Sequence, residues 1–372
     1  MTPLRLTIFF VLALCHATSF AQEVEPLGSR QTSDQSGEFL KAVCNESEEA
    51  ITIKIGDQPF LTYHTAIVSP PEGIDALYKK SGYIHPIQSP TGRCVTGDFA
   101  PGHAHQHGFF LAWVKTKFAG HSVDFWNQKN KTGRVAHSKV IAVNNSNEFA
   151  EFEVELSHED ISNLDQPVQV LSERWKVRAY HGHKGQPFVF DIESHQTCVA
   201  QTALTLRQYH YGGLGLRGNE VWHKPDAKGQ LANWKNQFKA ASDDPEVAPP
   251  KPLGLDVAGH GFLTSQGKRR HDGNHTTARW TAIYGAVDGG LAGVAILCHP
   301  ENFRAPQPVR LHPAEPYFSV SPVVAGEFEI RPKETYSARF RVVSFDGRPD
   351  AKVLNQIWDV YAKVSDRGDA KN

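Results

Sequence analysis

The sequence has little sulfur, no excess of one charge and no apolar run long enough to span a bilayer. Its one Met is the first residue, so thioether copper ligation is excluded from a mature chain. The 39 Lys and Arg residues balance 40 Asp and Glu residues, which leaves no electrostatic bias towards nucleic acid or an anionic membrane. These absences indicate an uncharged partner and exclude a membrane-spanning protein.

Cysteine is also scarce, with five residues in 372. Four of them follow the first 21 residues and allow three disulfide pairings in an oxidising compartment. They are too sparse to hold a fold together, so any bridge would supplement a hydrophobic core. Cys298 ends an apolar run at 293–298, which is equally typical of an inert buried thiol. Both interpretations stay open for Cys44, Cys94, Cys198 and Cys298.

The first 21 residues have the pattern of a cleavable export signal. Arg5 precedes a short apolar run at 6–14, and Ser19 and Ala21 are the small residues that a signal peptidase requires. We therefore predict cleavage near Ala21, a mature chain that begins near Gln22, and a secreted or periplasmic location.

Alternation of apolar and polar residues dominates the rest of the chain. Such a period of two predicts strands with one buried face, and turn residues separate the segments. No long helical period alternates with them, so we predict an all-β fold, a large antiparallel β-sandwich. The clearest alternating segments are 51–55, 149–156, 168–177, 188–192, 204–206 and 338–342.

Two segments depart from this pattern. Residues 350–364 place their apolar side chains on one helical face after Asp350, a candidate N-cap, which predicts an amphipathic C-terminal helix that covers a sheet. Residues 224–258 are rich in Lys, Ala, Asp and Pro and predict a long loop. We therefore expect one sandwich domain over 22–372.

Three histidines alternate with other residues just before an apolar run at 109–113. In an extended strand alternate side chains share one face, so His103, His105 and His107 would project together. Imidazole titrates near neutral pH and is the commonest metal ligand. The run predicts a proton-transfer or metal site, with a Gly- and His-rich surface loop as the alternative.

The segment after Leu204 predicts a polar, aromatic shelf. Leu204 and Leu206 share one face, whereas Arg207, Tyr209 and Tyr211 share the other. Tyrosine rings stack on the C–H faces of sugars and guanidinium groups bind hydroxyls, so the shelf suits a carbohydrate. An ordinary solvent-exposed face is the alternative.

Acid–base chemistry on a sugar needs one group that takes a proton and another that gives one. We predict His105 as the principal acid or base, with His103 and His107 beside it. Glu173 is the predicted carboxylate partner because it places an ion beside the bulk of Trp175, although a surface salt bridge would give the same pattern. The predicted substrate-binding residues are Arg207, Tyr209, Tyr211, Arg217, His299 and Arg304.

The chain resembles the exported bacterial family labelled "methane oxygenase PmoA" or a domain of unknown function. The resemblance extends from about residue 39 to 366 in seven ordered blocks: YIHPI at 83, GFFLAW at 108, DFW at 124, YGGLGLR at 211, TSQG at 264, ARW at 278 and CHPEN at 298. The family's histidine block reads Asp-His-Pro-His-His-Arg-Gly. This chain matches it at His103 and His105 and departs from it at Gly102, Ala104, Gln106 and His107.

The resemblance implies a fold similar to the galactose-mutarotase supersandwich, a large double β-sheet found in sugar epimerases, lyases and carbohydrate hydrolases. The label itself conflicts with the sequence, because particulate methane oxidation depends on a membrane-embedded metalloprotein and this chain has no spanning helix. We therefore set methane oxidation aside.

The sequence predicts a secreted or periplasmic carbohydrate-active enzyme, an epimerase, hydrolase or lyase, that acts on a neutral sugar or glycoside without a cofactor. A non-catalytic carbohydrate-binding protein would keep the aromatic shelf without the acid–base pair. A metal-dependent sugar enzyme would instead hold zinc, iron or manganese with a carboxylate and two or three imidazoles, those of His103 and His105 with or without that of His107. The sequence leaves the oligomeric state open.

Overall fold

A computed structural model of the chain describes residues 37–223 and 260–364. The predicted signal segment 1–21 and the predicted loop 224–258 lie outside these residues. The described residues form strands for the most part, with one long helix near the end.

The strands in chain order are β1 (Phe39–Leu40), β2 (Ala42–Glu46), β3 (Ala50–Ile55), β4 (Gln58–His64), β5 (Ile84–Ile87), β6 (Phe109–Ala112), β7 (Thr116–Phe118), β8 (His121–Val123), β9 (Gly133–Asn145), β10 (Phe149–Asp160), β11 (Val168–Tyr180), β12 (Gly182–His183), β13 (Phe188–Cys198), β14 (Leu204–Leu206), β15 (Gly213–Arg217), β16 (His260–Thr264), β17 (Trp280–Val287), β18 (Gly290–Cys298), β19 (Val309–Leu311), β20 (Tyr317–Val320), β21 (Phe328–Ile330) and β22 (Thr335–Asp346). The helices are α1 (Arg270–Gly273) and α2 (Ala351–Tyr361), with 3₁₀ turns at Ala76–Tyr78, Gln128–Asn130, Glu220–Trp222 and Pro322–Ala325.

Two eight-stranded antiparallel sheets make up most of the fold. The first sheet has the order β16-β17-β18-β22-β13-β11-β10-β9, and the second has the order β19-β20-β15-β6-β5-β4-β3-β2. A four-stranded sheet, β21-β14-β7-β8, and a short pair, β1-β12, complete the set. The predicted large antiparallel β-sandwich is confirmed.

Side-chain alternation explains why these segments are strands. β13 alternates strictly between buried and half-buried residues along all 11 of its positions, as expected for a strand with one face in the core. All six segments predicted from their alternation lie in strands, namely β3, β10, β11, β13, β14 and β22.

The hydrophobic core lies between the two large sheets. Its centre holds aromatic rings from both sides, with Phe60 and Phe190 5.6 Å apart and Phe109 and Trp175 6.1 Å apart between ring centroids. These edge-to-face contacts suit the charge distribution of aromatic rings. The side chains that point away from this core on the second sheet are therefore available for other roles.

Helix α2 covers the outward face of the first sheet. Asp350 caps it by accepting hydrogen bonds from the backbone N–H groups of Lys352 and Val353, and Leu354 and Tyr361 are buried in the cluster that it forms with the sheet. The predicted C-terminal helix is confirmed. Among the described residues, no helix combines the length and the apolar character needed to cross a membrane.

The four cysteines of the described residues are not joined to one another. Cys44, Cys198 and Cys298 are buried, and Cys94 is half-buried. Burial raises the pKa of Cys298 to about 12, so this thiol is protonated at neutral pH. The structure therefore favours the interpretation of Cys298 as an inert core residue.

Candidate functional site

The histidine segment is a series of turns and does not form an extended strand. The N–H of His103 donates to the carbonyl of Ala100 at 2.9 Å, and the N–H of Gln106 donates to the carbonyl of His103 at 2.8 Å. Gly102 adopts a φ of 74°, which glycine accepts without steric cost. The prediction that the three imidazoles share one strand face is therefore wrong, although the strand expected after them does begin at Phe109.

His107 points inward, away from the other two histidines. It is fully buried, and its Nδ1 donates to Asp98 Oδ1 at 2.6 Å. Tyr83 donates to the other oxygen of Asp98, also at 2.6 Å. Burial lowers the pKa of His107 more than Asp98 raises it, so the ring is neutral, and its buried Nε2 has no hydrogen-bond partner. His107 supports the turns and does not line the cleft described next.

His105 lines a cleft of about 260 Å³ that opens on the outward side of the second sheet. Tyr211 is one wall of the cleft, and its ring centroid lies 6.1 Å from that of Trp126. The cleft therefore combines flat aromatic surfaces with a few polar groups, as small-molecule sites commonly do. Its lining residues are His105, Gln106, Val114, Asp124, Trp126, Asn127, Asn130, Tyr209 and Tyr211.

His105 is neutral over most of the pH range. Burial lowers its pKa to about 4, and the positive charge of Arg217 acts in the same direction. Within the described part of the chain, its ring makes no hydrogen bond. At neutral pH His105 is therefore unprotonated and has a free lone pair in the cleft.

Asp124 is a carboxylate in this cleft that the sequence argument did not select. Its Oδ1 accepts hydrogen bonds from the backbone N–H groups of Trp126 and Asn127, both at 2.9 Å, and its Oδ2 accepts one from Asn130 at 2.7 Å. Burial raises the pKa of Asp124 in spite of these bonds. The DFW block at 124–126 was the available signal, because it places an acid beside aromatic bulk.

His103 lies at the back of this region. Its ring centroid is 6.0 Å from that of His105 and 5.7 Å from that of His312, and its buried Nδ1 has no hydrogen-bond partner. Burial and the charge of Arg310 lower the pKa of His312 to about 3. His103 and His105 are therefore close together. No group of three or more His, Cys, Asp or Glu side chains in the described ranges is arranged to hold a metal ion.

Arg217 is fully buried, and other protein groups hold its guanidinium. It donates to Glu220 through Nε and Nη2 at 3.1 and 3.2 Å, and through Nη1 to Gln106 at 3.0 Å and Glu315 at 3.2 Å. Gln106 also lines the cleft. Arg217 therefore fixes the orientation of a cleft residue and is not itself among the lining side chains.

Glu173 lies inside the sandwich core. It is fully buried on β11 and accepts hydrogen bonds from His158 Nε2 at 2.6 Å, Trp175 Nε1 at 2.7 Å, Ser194 Oγ at 2.5 Å and Gln196 Nε2 at 3.0 Å. Burial alone would raise its pKa, but these donors together hold the pKa below its ordinary range. The structure does not place Glu173 among the residues that line the cleft.

Three further predicted residues lie outside the cleft lining. Arg207 is exposed and pairs with Glu327 at 3.1 Å. His299 packs on Tyr361 of helix α2, with ring centroids 5.1 Å apart. Arg304 donates to backbone carbonyls, including that of Pro322 at 2.9 Å. Of the predicted binding residues, only Tyr209 and Tyr211 line the cleft, and the binding roles of the others stay predictions.

The floor of the cleft depends on a glycine. A Cβ added to Gly215 would lie 2.8 Å from the ring of Trp126 and 2.9 Å from both Phe110 and Tyr317. Gly215→Ala is therefore expected to push Trp126 outward and to lower the free energy of unfolding by about 1–3 kcal/mol. Urea denaturation followed by tryptophan fluorescence measures both effects, and an unchanged midpoint would show that Trp126 moves without cost.

Several solved structures are similar to this chain at low identity. Heparan sulfate lyase HepC from Pedobacter heparinus is 10% identical with a TM-score of 0.32, over 85% of this chain and 36% of the lyase. A GH36 alpha-galactosidase from Geobacillus stearothermophilus is 11% identical with a TM-score of 0.31, over 82% of this chain and 41% of the galactosidase. A galactose mutarotase related enzyme from Lactobacillus acidophilus is 9% identical with a TM-score of 0.33, over 82% of this chain and 97% of that enzyme.

The chain spans about a third of the length of the lyase. A comparison with curated proteins finds no match. The family that matches is described as a family of unknown function, and the match covers residues 50–359. That span includes the cleft and every strand of the two large sheets except β2. The description of the family carries no methane-oxygenase activity. The chain therefore belongs to the family of unknown function DUF6807.

Proposed function

We propose that the cleft is the active site of an exported carbohydrate-active enzyme, which acts on a sugar or glycoside by acid–base chemistry as an epimerase, hydrolase or lyase. One observation carries this proposal. His105 and Asp124 line the same aromatic cleft, and their surroundings displace their pKa values, downward for His105 and upward for Asp124. Two titratable groups whose surroundings shift their pKa values in opposite directions suit the complementary roles of base and acid.

The roles follow from the protonation states. His105 is neutral above about pH 4, so it takes a proton from a sugar hydroxyl, a sugar carbon or a water molecule. Asp124 keeps its proton to a higher pH than an ordinary aspartate, so it gives that proton to the departing oxygen or to the carbon on the opposite face. One proton enters His105 and one leaves Asp124, and the exchange is reversed before the next turnover.

The walls of the cleft suit a pyranose ring. Trp126, Tyr209 and Tyr211 present flat rings, and such rings bind the C–H faces of sugars. Gln106, Asn127 and Asn130 add amide donors and acceptors for hydroxyl groups. Burial raises the pKa of Tyr211, so its hydroxyl stays protonated and available as a donor.

Asp124 takes the place that the sequence argument gave to Glu173. Glu173 has four donors in the core, whereas Asp124 shares a cleft with His105. His105 therefore keeps a carboxylate partner, and that partner is Asp124.

A substrate screen tests the proposal. The chain from Gln22 is incubated with neutral, acidic and oxidised oligosaccharides, and products are detected by mass spectrometry. We expect turnover by the wild type and none by the double variant His105→Ala and Asp124→Asn. Sugar binding without turnover by the wild type would favour the non-catalytic binding protein. Turnover that requires added zinc, iron or manganese would favour the metal-dependent enzyme, and either result contradicts the proposal.

A further inference from the structure

Four basic side chains surround the tyrosine wall of the cleft. We call them the basic rim: Lys115, His210, His275 and Arg310. The Nζ atom of Lys115 lies 5.5 Å from the ring centroid of Tyr209, and the guanidinium carbon of Arg310 lies 5.3 Å from that of Tyr211. Because both tyrosines line the cleft, the basic rim is the margin of the same site.

The members of the basic rim lie close to one another. The rings of His210 and His275 are 6.5 Å apart between centroids, and His210 also packs on Tyr209 at 4.0 Å. Burial lowers the pKa of His210, and the charges of Arg310 and Lys115 lower it further, so His210 adds no positive charge at neutral pH. The positive charge at this margin comes from Lys115 and Arg310, which lie over Tyr209 and Tyr211, while Glu315 is an acidic group that also acts on Tyr211.

The two permanent cations of the basic rim have no acidic partner within the described residues. Arg310 donates to the neutral oxygens Asn274 Oδ1 at 3.0 Å and Leu311 O at 3.1 Å. Its Nε is buried without a hydrogen-bond partner, an arrangement that is unfavourable unless another group supplies an acceptor. Arg217 differs, because Glu220 and Glu315 neutralise it.

We infer that the basic rim binds an anionic group carried by the sugar, either the carboxylate of a uronic acid unit or a sulfate ester. Both groups present the oxygen pairs that a guanidinium fork recognises. The sugar ring that carries the anion would stack on Tyr209 or Tyr211, beside the two cations. The inference rests on the proposed function, because it assumes that the cleft holds a sugar. The balanced charge of the whole chain conceals this local excess of positive charge.

Binding measurements on a variant that lacks catalysis test the inference. The double variant His105→Ala and Asp124→Asn is titrated calorimetrically with a panel of uronic acid oligosaccharides, sulfated oligosaccharides and neutral counterparts of the same length. We expect an anionic sugar to bind at least about tenfold more tightly than its neutral counterpart. Adding Arg310→Gln should weaken that binding by about tenfold to a hundredfold, and added salt should weaken it as well.

Further variants keep the test decisive. Arg310→Lys retains the charge and should lose less affinity than Arg310→Gln, and Lys115→Gln changes an exposed side chain that the fold does not need. Arg331→Gln is the matched control, because Arg331 is exposed and pairs with Glu334. Tight binding of uronates alone identifies a carboxylate subsite, and tight binding of sulfated sugars alone identifies a sulfate subsite.

Equal affinity for anionic and neutral sugars would overturn the inference, as would an Arg310→Gln variant that binds like its parent. Failure of the proposed function is a separate result. Selective binding of anionic sugars by a wild type that never turns them over would leave the basic rim established and the enzyme disproved. Turnover of neutral glycosides at a rate that does not change in the Arg310→Gln variant would establish the enzyme and disprove the role of the basic rim.

Discussion

His105→Ala is expected to lower kcat by about a hundredfold to ten-thousandfold, the usual contribution of a general acid or base. Sugar affinity should change little, because proton transfer acts in the transition state and the aromatic walls of the cleft remain. Steady-state kinetics on the substrate found by screening measures both quantities. His195→Ala is the matched control, since His195 lies on β13 and bonds to Ser337 outside the cleft.

The pH dependence separates the two proposed roles. A base with a pKa of about 4 is lost by protonation, so kcat/KM should fall as the pH drops through that value. The acid is lost by deprotonation, so kcat/KM should also fall as the pH rises through the raised pKa of Asp124. Activity is therefore expected to be highest between the pKa of His105 and the raised pKa of Asp124, and Asp124→Asn should remove the alkaline limb.

Wild-type turnover by His105→Ala would show that the histidine segment is structural. A pH profile of Asp124→Asn that is lower but unchanged in shape would assign Asp124 to the local turn, through its bonds to Trp126 and Asn127, and not to proton transfer. Thermal unfolding of both variants checks that any loss of activity occurs in folded protein.

Glu173→Ala is expected to lower the free energy of unfolding by about 3–5 kcal/mol, because each buried donor left without an acceptor costs about 1–3 kcal/mol. The substitution leaves His158 buried without its acceptor and removes the acceptor of Trp175, Ser194 and Gln196. Equilibrium urea denaturation measures the loss. Because the pKa of folded Glu173 is held below its ordinary value of 4.5, its stabilisation is present above that pH and disappears as the pH falls through the folded pKa.

Glu155→Ala is the matched control for Glu173→Ala. Glu155 lies on the neighbouring strand β10 with its side chain 24% exposed, and it pairs with Lys139 at 3.4 Å, so its loss should change stability by less than about 1 kcal/mol. If Glu173→Ala instead kept full stability and lost activity, Glu173 would be the catalytic carboxylate after all, and the role of Asp124 would be withdrawn.

Strands were predictable because their side-chain period is visible in the sequence. The alternation at 188–192 continues through the whole of β13, and the apolar face at 350–364 is the buried face of helix α2. In both segments the local pattern and the tertiary environment require the same structure, so the pattern sufficed.

The histidine segment was mispredicted because spacing alone does not fix the backbone. Pro101 and Gly102 favour a turn, and turns aim successive side chains in different directions. The inward position of His107 depends on Asp98 and Tyr83, whose convergence on its ring only the tertiary fold produces.

Glu173 and Asp124 show what the sequence did and did not contain. The alternation of β11 places Glu173 on the same buried face as Leu171, Trp175 and Val177, which already favoured a core position over a cleft. Asp124, by contrast, lines the same cleft as His105 only because β6, β8 and β15 assemble around it. No local sequence pattern predicts that two residues so placed share a cleft.

The placement of helix α2 has a consequence for the dynamics of the molecule. The helix covers β17, β18 and β22 on the side opposite the core, so these strands are dry on both faces. Strand β20, beside the cleft, packs against the half of the sandwich that contains these strands. Phe318 of β20 contacts Phe262 of β16, the neighbour of β17, with ring centroids 6.3 Å apart. Local opening requires water to reach backbone amides, so hydrogen exchange should be slowest in this half. One strand beside the cleft, β20, therefore packs against the half of the sandwich that is expected to open least.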